Sequence, residues 1–209
     1  MTNICKQKII NAKMKRLFDL IASFIGLIIL SPVFIIIAVL IKTDSKGEVF
    51  FRQVRVGRGE KPFRIFKFRT MSVHQKKGSL QITTGGDSRI TKVGAFLRKY
   101  KIDELPQLIN VLKGEMSLVG PRPEVPKYVK HYSSENRNII FSVRPGITDL
   151  ASIEYKNEND ILAGESAPEK AYIEKILPEK LKYCREYVEK QSFMYDIKII
   201  FKTLKAVVC

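Results

Sequence analysis

Residue types that often bind metals or form cross-links are scarce in this 209-residue chain, which has three cysteines, two histidines and no tryptophan. The cysteines (Cys5, Cys184 and Cys209) are odd in number, widely spaced and without a CxxC pair. This excludes a disulfide framework and a cysteine zinc site, and it favours a reducing compartment. His74 and His131 lie far apart among polar neighbours, so we expect both at the surface.

Acidic residues are also in short supply. The chain has 21 Asp and Glu against 37 Lys and Arg, a formal net charge of +16. Such an excess indicates an anionic partner. On charge alone, nucleic acid, an anionic lipid surface and a phosphorylated substrate all remain open. The length corresponds to one domain, or to one domain with an appendage.

One segment contains no charge at all. It runs for 22 residues, from Leu20 to Ile41, which is enough to span a bilayer as a helix. It is also too long for the apolar region of a cleaved signal peptide, and no small-residue cleavage site follows it. Ser31 and Pro32 lie at its centre, where the proline removes one backbone hydrogen bond.

Basic residues on both sides of this segment bear on its topology. They are Lys6, Lys8, Lys13, Lys15 and Arg16 before it, and Lys42, Lys46, Arg52, Arg55 and Arg58 after it. A spanning helix would place one of these groups on the wrong side of the membrane under the positive-inside rule. We therefore predict a re-entrant helix-break-helix over residues 17–42 that breaks at Ser31-Pro32. A kinked single span is the alternative.

The features that suggest chemistry lie between Arg98 and Glu124. Asp103 and Glu104 stand side by side, and apolar residues at helical spacing follow them. Asp103 is predicted at a helix N-cap, and a helix start is also a natural phosphate site. Further on, Pro121-Arg122-Pro123 is expected to hold Arg122 as a planar phosphate clamp. A capped amphipathic helix would explain the acidic pair alone, but with the nearby cations this stretch indicates phosphoryl transfer.

Five motifs in this order along the chain resemble those of a known family. They are Lys67-Phe68-Arg69-Thr70-Met71, Leu97-Arg98, Asp103-Glu104-Leu105-Pro106-Gln107, Pro121-Arg122-Pro123 and Arg144-Pro145-Gly146-Ile147-Thr148. The chain resembles the bacterial monotopic phosphoglycosyl transferases, which start glycan assembly on a polyprenyl phosphate. The resemblance extends over most of the chain, and it also implies the re-entrant membrane helix.

The resemblance implies an enzyme that moves a sugar phosphate from a UDP-sugar to undecaprenyl phosphate. Asp103 would attack the phosphate that carries the sugar and form a phosphosugar-aspartyl intermediate with release of UMP, and Glu104 would hold Mg²⁺. The expected phosphate-binding residues are Arg98, Arg122, Arg144, Lys67 and Arg69, with Pro121 and Pro123 as structural residues of the site. The expected location is the cytoplasmic face of the bacterial inner membrane, in contact with lipid and without nucleic acid; a homodimer is compatible with it.

The sequence departs from the family at one of these motifs. After Thr148 the family commonly continues Gly-Trp-Ala-Gln, whereas this chain has Asp149-Leu150-Ala151-Ser152. This departure leaves the sugar and nucleotide specificity open.

Together these features predict a membrane-associated α/β protein. Its parts are a basic segment 1–16, the re-entrant membrane helix 17–42 and a cytosolic catalytic domain 43–209. Within the domain we expect a β-hairpin over residues 48–71, an interfacial helix over 91–100, a loop over 156–170 and a basic amphipathic helix from Tyr187. The last helix lies either on an anionic membrane or on the domain core. The alternative function is a non-catalytic, membrane-anchored basic module that binds nucleic acid or anionic lipid.

Overall fold

The computed structural model describes residues 3–72, 87–155 and 157–208 of the chain. The α-helices are α1 (Asn3–Asp44), α2 (Lys92–Lys99), α3 (Leu108–Leu112), α4 (Pro126–Val129), α5 (Ser134–Ile140), α6 (Leu150–Glu154), α7 (Glu158–Ala163), α8 (Pro168–Ala171), α9 (Leu177–Lys190) and α10 (Phe193–Val208). The strands are β1 (Phe50–Val56), β2 (Pro62–Phe68), β3 (Ser117–Val119) and β4 (Gly146–Thr148). His131 is exposed as predicted, and His74 lies outside the described residues.

The uncharged segment forms the greater part of α1. This helix has 42 residues, begins within the basic segment and continues through Pro32. The break predicted at Ser31-Pro32 does not interrupt this helix. Pro32 cannot donate to the carbonyl of Ile28, and the hydroxyl of Ser31 donates to that carbonyl instead, at 2.8 Å. This bond compensates for the missing N–H and allows the helix to continue.

The surface of α1 is largely apolar and uncovered. Ile29 and Ile35 are each 67% exposed, and most other large apolar side chains of this helix are exposed as well. The helix is long and apolar enough to cross a membrane. A face of this kind is suited to lipid rather than to water.

Both ends of the uncharged segment of α1 are nevertheless bound to the rest of the protein. At its start, the buried Asp19 accepts hydrogen bonds from the Ser117 hydroxyl at 2.7 Å and the Leu118 N–H at 3.2 Å. At the end, Asp44 accepts from the Val93 N–H at 3.0 Å. Between them, Ile37 and Ile41 pack with Phe68 and Leu97 in one apolar cluster. The two ends of the uncharged segment therefore contact one and the same domain.

The predicted hairpin is confirmed. Strands β1 and β2 pair antiparallel, from Phe50 opposite Phe68 to Val56 opposite Pro62. The turn between them contains Gly59 at φ 65°, a left-handed conformation that glycine adopts without strain. Phe63 and Ile65 of β2 pack against Val111 and Met116 around α3, which places the end of β2 beside the acidic pair.

A second, very short sheet brings together two motifs that are distant in sequence. Strands β3 and β4 pair parallel, with Ser117 opposite Gly146 and Val119 opposite Thr148. At the end of β3 the two segments of the chain stay in contact because Gly120 and Gly146 have no side chain. A Cβ on Gly146 would lie 2.1 Å from the nitrogen of Gly120, and one on Gly120 would lie 2.5 Å from the Arg144 oxygen. This approach sets Pro121-Arg122-Pro123 next to β4 and the residues that follow it.

The C-terminal part differs from the sequence predictions in two places. The predicted loop over 156–170 contains α7, because Leu162 is fully buried in a cluster with Tyr172 and Ile176. The helix predicted from Tyr187 is divided into α9 and α10 between Lys190 and Phe193. One face of α10 packs on the core through Asp196 and Ile199. The opposite surface exposes apolar and basic side chains: Met194, Lys198, Phe201, Lys202, Leu204 and Lys205.

Candidate active site

Glu104 is the centre of a buried ion cluster. The Lys67 ammonium, at the end of β2, donates to its Oε1 at 2.7 Å. Arg122 approaches as a fork, with Nη1 donating to Oε2 at 3.0 Å and Nη2 donating to Oε1. One carboxylate thus holds two cations from separate parts of the chain, and the arginine pairing is the bidentate one expected for a planar guanidinium.

The neighbouring carboxylate, Asp103, is differently placed. It is buried, yet its carboxylate accepts no hydrogen bond from residues 3–72, 87–155 and 157–208. It also does not cap a helix, which corrects the N-cap prediction. Instead it belongs to a 3₁₀ segment (Ile102–Gln107) that precedes α3 and begins after Lys101, a residue at φ 56°. This left-handed turn directs the chain from α2 into the site.

The two acids have pKa values displaced in opposite directions. Burial raises the pKa of Asp103; the charge of Lys67 opposes this effect and the charge of Glu104 adds to it. Burial would also raise the pKa of Glu104, but Arg122 and Lys67 outweigh it through their charges and hydrogen bonds, and they hold that pKa well below its usual range. Glu104 is therefore firmly ionised, whereas Asp103 is the more basic carboxylate of the pair.

Arg98 is the third predicted phosphate ligand at this site, beside Lys67 and Arg122. Its Nε donates to the Thr70 hydroxyl at 2.8 Å, which joins two of the sequence motifs. Burial lowers the pKa of Arg98, and the charge of Asp103 opposes that shift. Arg98, Lys67 and Arg122 thus form a cationic surrounding for the acidic pair.

Two other predicted phosphate ligands are engaged elsewhere. The Arg69 guanidinium donates to carbonyls at the C-terminal end of α1, at 2.7 Å to Ser45, at 3.4 Å to Ile41 and to Lys46. Arg144 donates from Nε to the Gly114 carbonyl at 2.9 Å. The structure therefore does not place these two arginines with Glu104. Arg69 stabilises the end of α1, as a cation at a helix C-terminus does.

Two supporting residues were not identified from sequence. Arg55, which counted only as a flanking cation, donates to the Pro123 carbonyl at 3.0 Å and to Glu124 at 3.4 Å. Asp149 accepts from the Arg122 N–H at 3.2 Å. The two residues contact the segment Pro121-Arg122-Pro123, whose prolines are at most slightly exposed. Of these two residues, only Asp149 stood out in the sequence, because it departs from the usual family motif.

The acidic pair is compatible with Mg²⁺. In the described parts of the chain no three His, Cys, Asp or Glu side chains are grouped to hold a metal. Mg²⁺ does not require such a group, since proteins usually bind it with one or two carboxylates together with substrate phosphates. Asp103 and Glu104 supply two adjacent carboxylates among the cations Lys67, Arg98 and Arg122, and a lone pair on Oε2 of Glu104 remains beside its bond to Arg122.

Comparison with known proteins gives relatives that are named for the same kind of transfer. The chain is 42% identical over 198 residues to the UDP-glucose:undecaprenyl-phosphate glucose-1-phosphate transferase of Klebsiella pneumoniae, which covers 93% of this chain and 40% of the relative. It is 38% identical over 200 residues to the UDP-N-acetylgalactosamine-undecaprenyl-phosphate N-acetylgalactosaminephosphotransferase of Aeromonas hydrophila, covering 95% of this chain and 44% of the relative. The chain thus spans about two fifths of the length of these two relatives. Residues 10–209 match the sequence family described as bacterial sugar transferase. This protein belongs to the bacterial sugar transferase family.

Proposed function

We propose that this protein transfers a sugar 1-phosphate from a UDP-sugar to undecaprenyl phosphate. The observation that carries the proposal is the pair of adjacent buried carboxylates among Lys67, Arg98 and Arg122. The cations suit the phosphates of both substrates, and the relatives from Klebsiella and Aeromonas are named for transfers of this kind.

Asp103 is the nucleophile of this proposal. An oxygen of its carboxylate forms a bond to the phosphorus that carries the sugar, while the bond between this phosphorus and the bridging oxygen of UMP breaks. UMP leaves with the electron pair, and the sugar phosphate stays on Asp103. An oxygen of undecaprenyl phosphate then attacks the same phosphorus, which frees the carboxylate and gives the lipid diphosphate sugar. The raised pKa of Asp103 favours this role, because a more basic carboxylate is the better nucleophile.

Glu104 positions the neighbouring cations and does not itself form a bond to the substrate. Its low pKa keeps it ionised, so it holds Lys67 and Arg122 within reach of the donor phosphates. Arg98 and Arg122 neutralise the charge that develops on the transferring group. Mg²⁺ held by Glu104 and the donor diphosphate would supply further neutralisation of charge.

A non-catalytic basic module is less well supported. Such a module needs exposed cations, and buried carboxylates beside them would weaken its binding to an anion. Here Glu104 occupies two of the central cations with direct ion pairs. These ion pairs therefore suit a site that carries out a transfer reaction better than a site that only binds an anion.

We also propose that α1 enters and leaves the membrane through the cytoplasmic leaflet. Asp19 and Asp44 are 25 residues apart, about 37 Å along a helix at 1.5 Å per residue, which exceeds the roughly 30 Å hydrocarbon core. Yet both bind the backbone of one domain. A spanning helix would require that domain to reach both membrane faces. Contacts at both ends support a monotopic, re-entrant arrangement, with the exposed face of α10 on the same anionic surface.

Intact-protein mass spectrometry tests the reaction directly. Enzyme mixed with a panel of UDP-sugars, without the lipid acceptor, should gain the mass of one sugar phosphate and release UMP. Asp103→Asn should give no adduct, since an amide cannot form the acyl phosphate. Glu104→Gln is the matched control and should retain a slowly formed adduct. An adduct of wild-type abundance on Asp103→Asn would exclude Asp103 as the nucleophile and point to Glu104.

A further inference from the structure

We propose that Asp149 is the positioning residue for Arg122, an inference whose catalytic meaning rests on the proposed function. Asp149 stands at the place where this chain departs from the usual family sequence, and its side chain is 2% exposed. One carboxylate oxygen accepts from the Arg122 N–H at 3.2 Å, and the other accepts from the Ser152 N–H at 2.9 Å. The first bond acts on the site, and the second caps α6.

The contact with Arg122 lies beside two backbone bonds at the end of β3. The Gly120 N–H donates to the Thr148 carbonyl at 3.1 Å, and the Gly146 N–H donates to the Pro121 carbonyl at 3.0 Å. The second bond does not follow the register of β3 and β4, in which Gly146 is opposite Ser117, so the pairing of the strands has ended here. The next N–H along the chain is that of Arg122, because Pro121 has none, and the Asp149 carboxylate accepts it in place of a backbone carbonyl.

Arg122 needs this bond because its own neighbours cannot fix it. Prolines 121 and 123 restrict their own φ angles, and Pro123 also keeps Arg122 out of the α region, but the β and polyproline regions that remain are broad. Asp149 holds the N–H of Arg122 from one side, while Arg55 donates to the Pro123 carbonyl at 3.0 Å from the other. With the backbone held at both places, the guanidinium can meet Glu104 as a two-pronged fork.

The two bonds of Asp149 demand two acceptors on one short side chain. Serine can cap α6 with its single hydroxyl, since serine and aspartate are comparable N-caps, but that oxygen cannot also serve Arg122. Glycine, the residue common in the family at this position, offers neither bond. Asp149→Ser therefore separates the positioning role from the capping role, and Asp149→Gly removes both.

Amide hydrogen exchange tests the contact without any substrate. In a fragment spanning residues 121–123, the Arg122 amide is the only backbone amide that can report, because the other two residues are prolines. Asp149→Ser should speed its exchange about tenfold relative to the Val111 amide of α3, as expected for the loss of one hydrogen bond. Ser133→Ala, which removes the exposed cap of α5, should leave that ratio unchanged. Equal acceleration at both amides, or no acceleration, would overturn the proposal.

Turnover then tests the consequence for the site. Asp149→Ser and Asp149→Gly should both lower kcat for UMP release by about tenfold or more, since small displacements of a positioned group have effects of this order. Ser133→Ala should keep the wild-type kcat. Activity of Asp149→Ser equal to wild type would refute the positioning role. Absence of UMP release from the wild-type protein would instead refute the proposed function, and the exchange result would still decide the contact.

Discussion

Replacing Glu104 by glutamine should destabilise the protein much more than losing a surface carboxylate. The change keeps the size of the side chain but removes the anion that Lys67 and Arg122 share. Glu104 is 10% exposed and Lys67 16%, so the two cations would be left close together with little water. Breaking a buried pair by removing one partner costs about 3–5 kcal/mol. Since Arg122 is 31% exposed and partly screened by solvent, we expect a loss near the lower end, about 3 kcal/mol.

A second substitution shows whether the loss comes from repulsion between the cations. Burial lowers the pKa of Lys67, and the charge of Glu104 only partly opposes that shift. Lys67→Met should therefore cost less, about 1–2 kcal/mol for one charged hydrogen bond. In the double variant Arg122 has no second cation beside it. The double variant should consequently be about 2 kcal/mol more stable than the sum of the two single changes predicts.

Thermal unfolding in detergent micelles at pH 7, followed by circular dichroism at 222 nm, measures these effects. About 3 kcal/mol corresponds to a fall in Tm of about 6–12 °C for a chain of this size. The control is Glu60→Gln, because Glu60 is paired with Arg137 at 3.0 Å on the surface and is 46% exposed. Its removal should cost less than about 1 kcal/mol. Additivity of the two substitutions within about 0.5 kcal/mol, or equal effects of Glu104→Gln and Glu60→Gln, would refute the reasoning.

Three further predictions concern pH, topology and the membrane surface. Burial raises the pKa of Asp103 above 3.8, so the rate of UMP release should fall with decreasing pH around a pKa above that value. Lys67→Met removes a charge that lowers this pKa, so it should move the acid limb of the pH profile to higher pH. An unmoved limb would contradict the assignment of this limb to Asp103. Single cysteines at positions 6 and 46 on a cysteine-free background should be labelled from the cytoplasm alone. Pro32→Leu should add labelling from the periplasm, because it restores an uninterrupted helix. Periplasmic labelling without that substitution would exclude the re-entrant helix. Phe201→Trp creates the only tryptophan of the chain, and brominated anionic vesicles should quench its fluorescence. The fluorescence of an Ile161→Trp control on α7 should stay unquenched. Equal quenching of the two variants would show that α10 does not lie on the membrane surface.

Local patterns were sufficient where the cause of a structure is itself local. Turn residues between two apolar runs predicted the hairpin of β1 and β2, and Thr91 caps α2 through the Gly94 N–H within the predicted helix. Gly114 follows the helix that ends at Leu112 and adopts φ 82°, as a glycine after a helix commonly does. The effect of Pro32 was predicted only in part, because the degree to which Ser31 replaces the lost bond depends on side-chain geometry.

The family motif could not show that its two cations separate where the strand ends. The resemblance implied that Lys67 and Arg69 both bind phosphate at one site. However, β2 ends at Phe68, and Arg69 turns to the carbonyls at the end of α1 while Lys67 reaches Glu104. Asp103 was misplaced for a similar reason, since the positive φ of Lys101 starts a 3₁₀ segment where helical spacing had predicted the first turn of an α-helix.

The rigidity of Arg122 is the clearest property that a motif suggests but cannot supply. Two prolines appear sufficient in the sequence, yet Pro123 only keeps Arg122 out of the α region, and neither proline fixes it in one conformation. That backbone is held by Asp149 and Arg55, which are 27 residues later and 67 residues earlier in the chain, and by the close approach of Gly120 to Gly146. The placement of Arg122 is thus a tertiary property. It follows that a relative with glycine in place of Asp149 must hold the same arginine through other contacts, and that residues around β4 can change this site without touching a substrate.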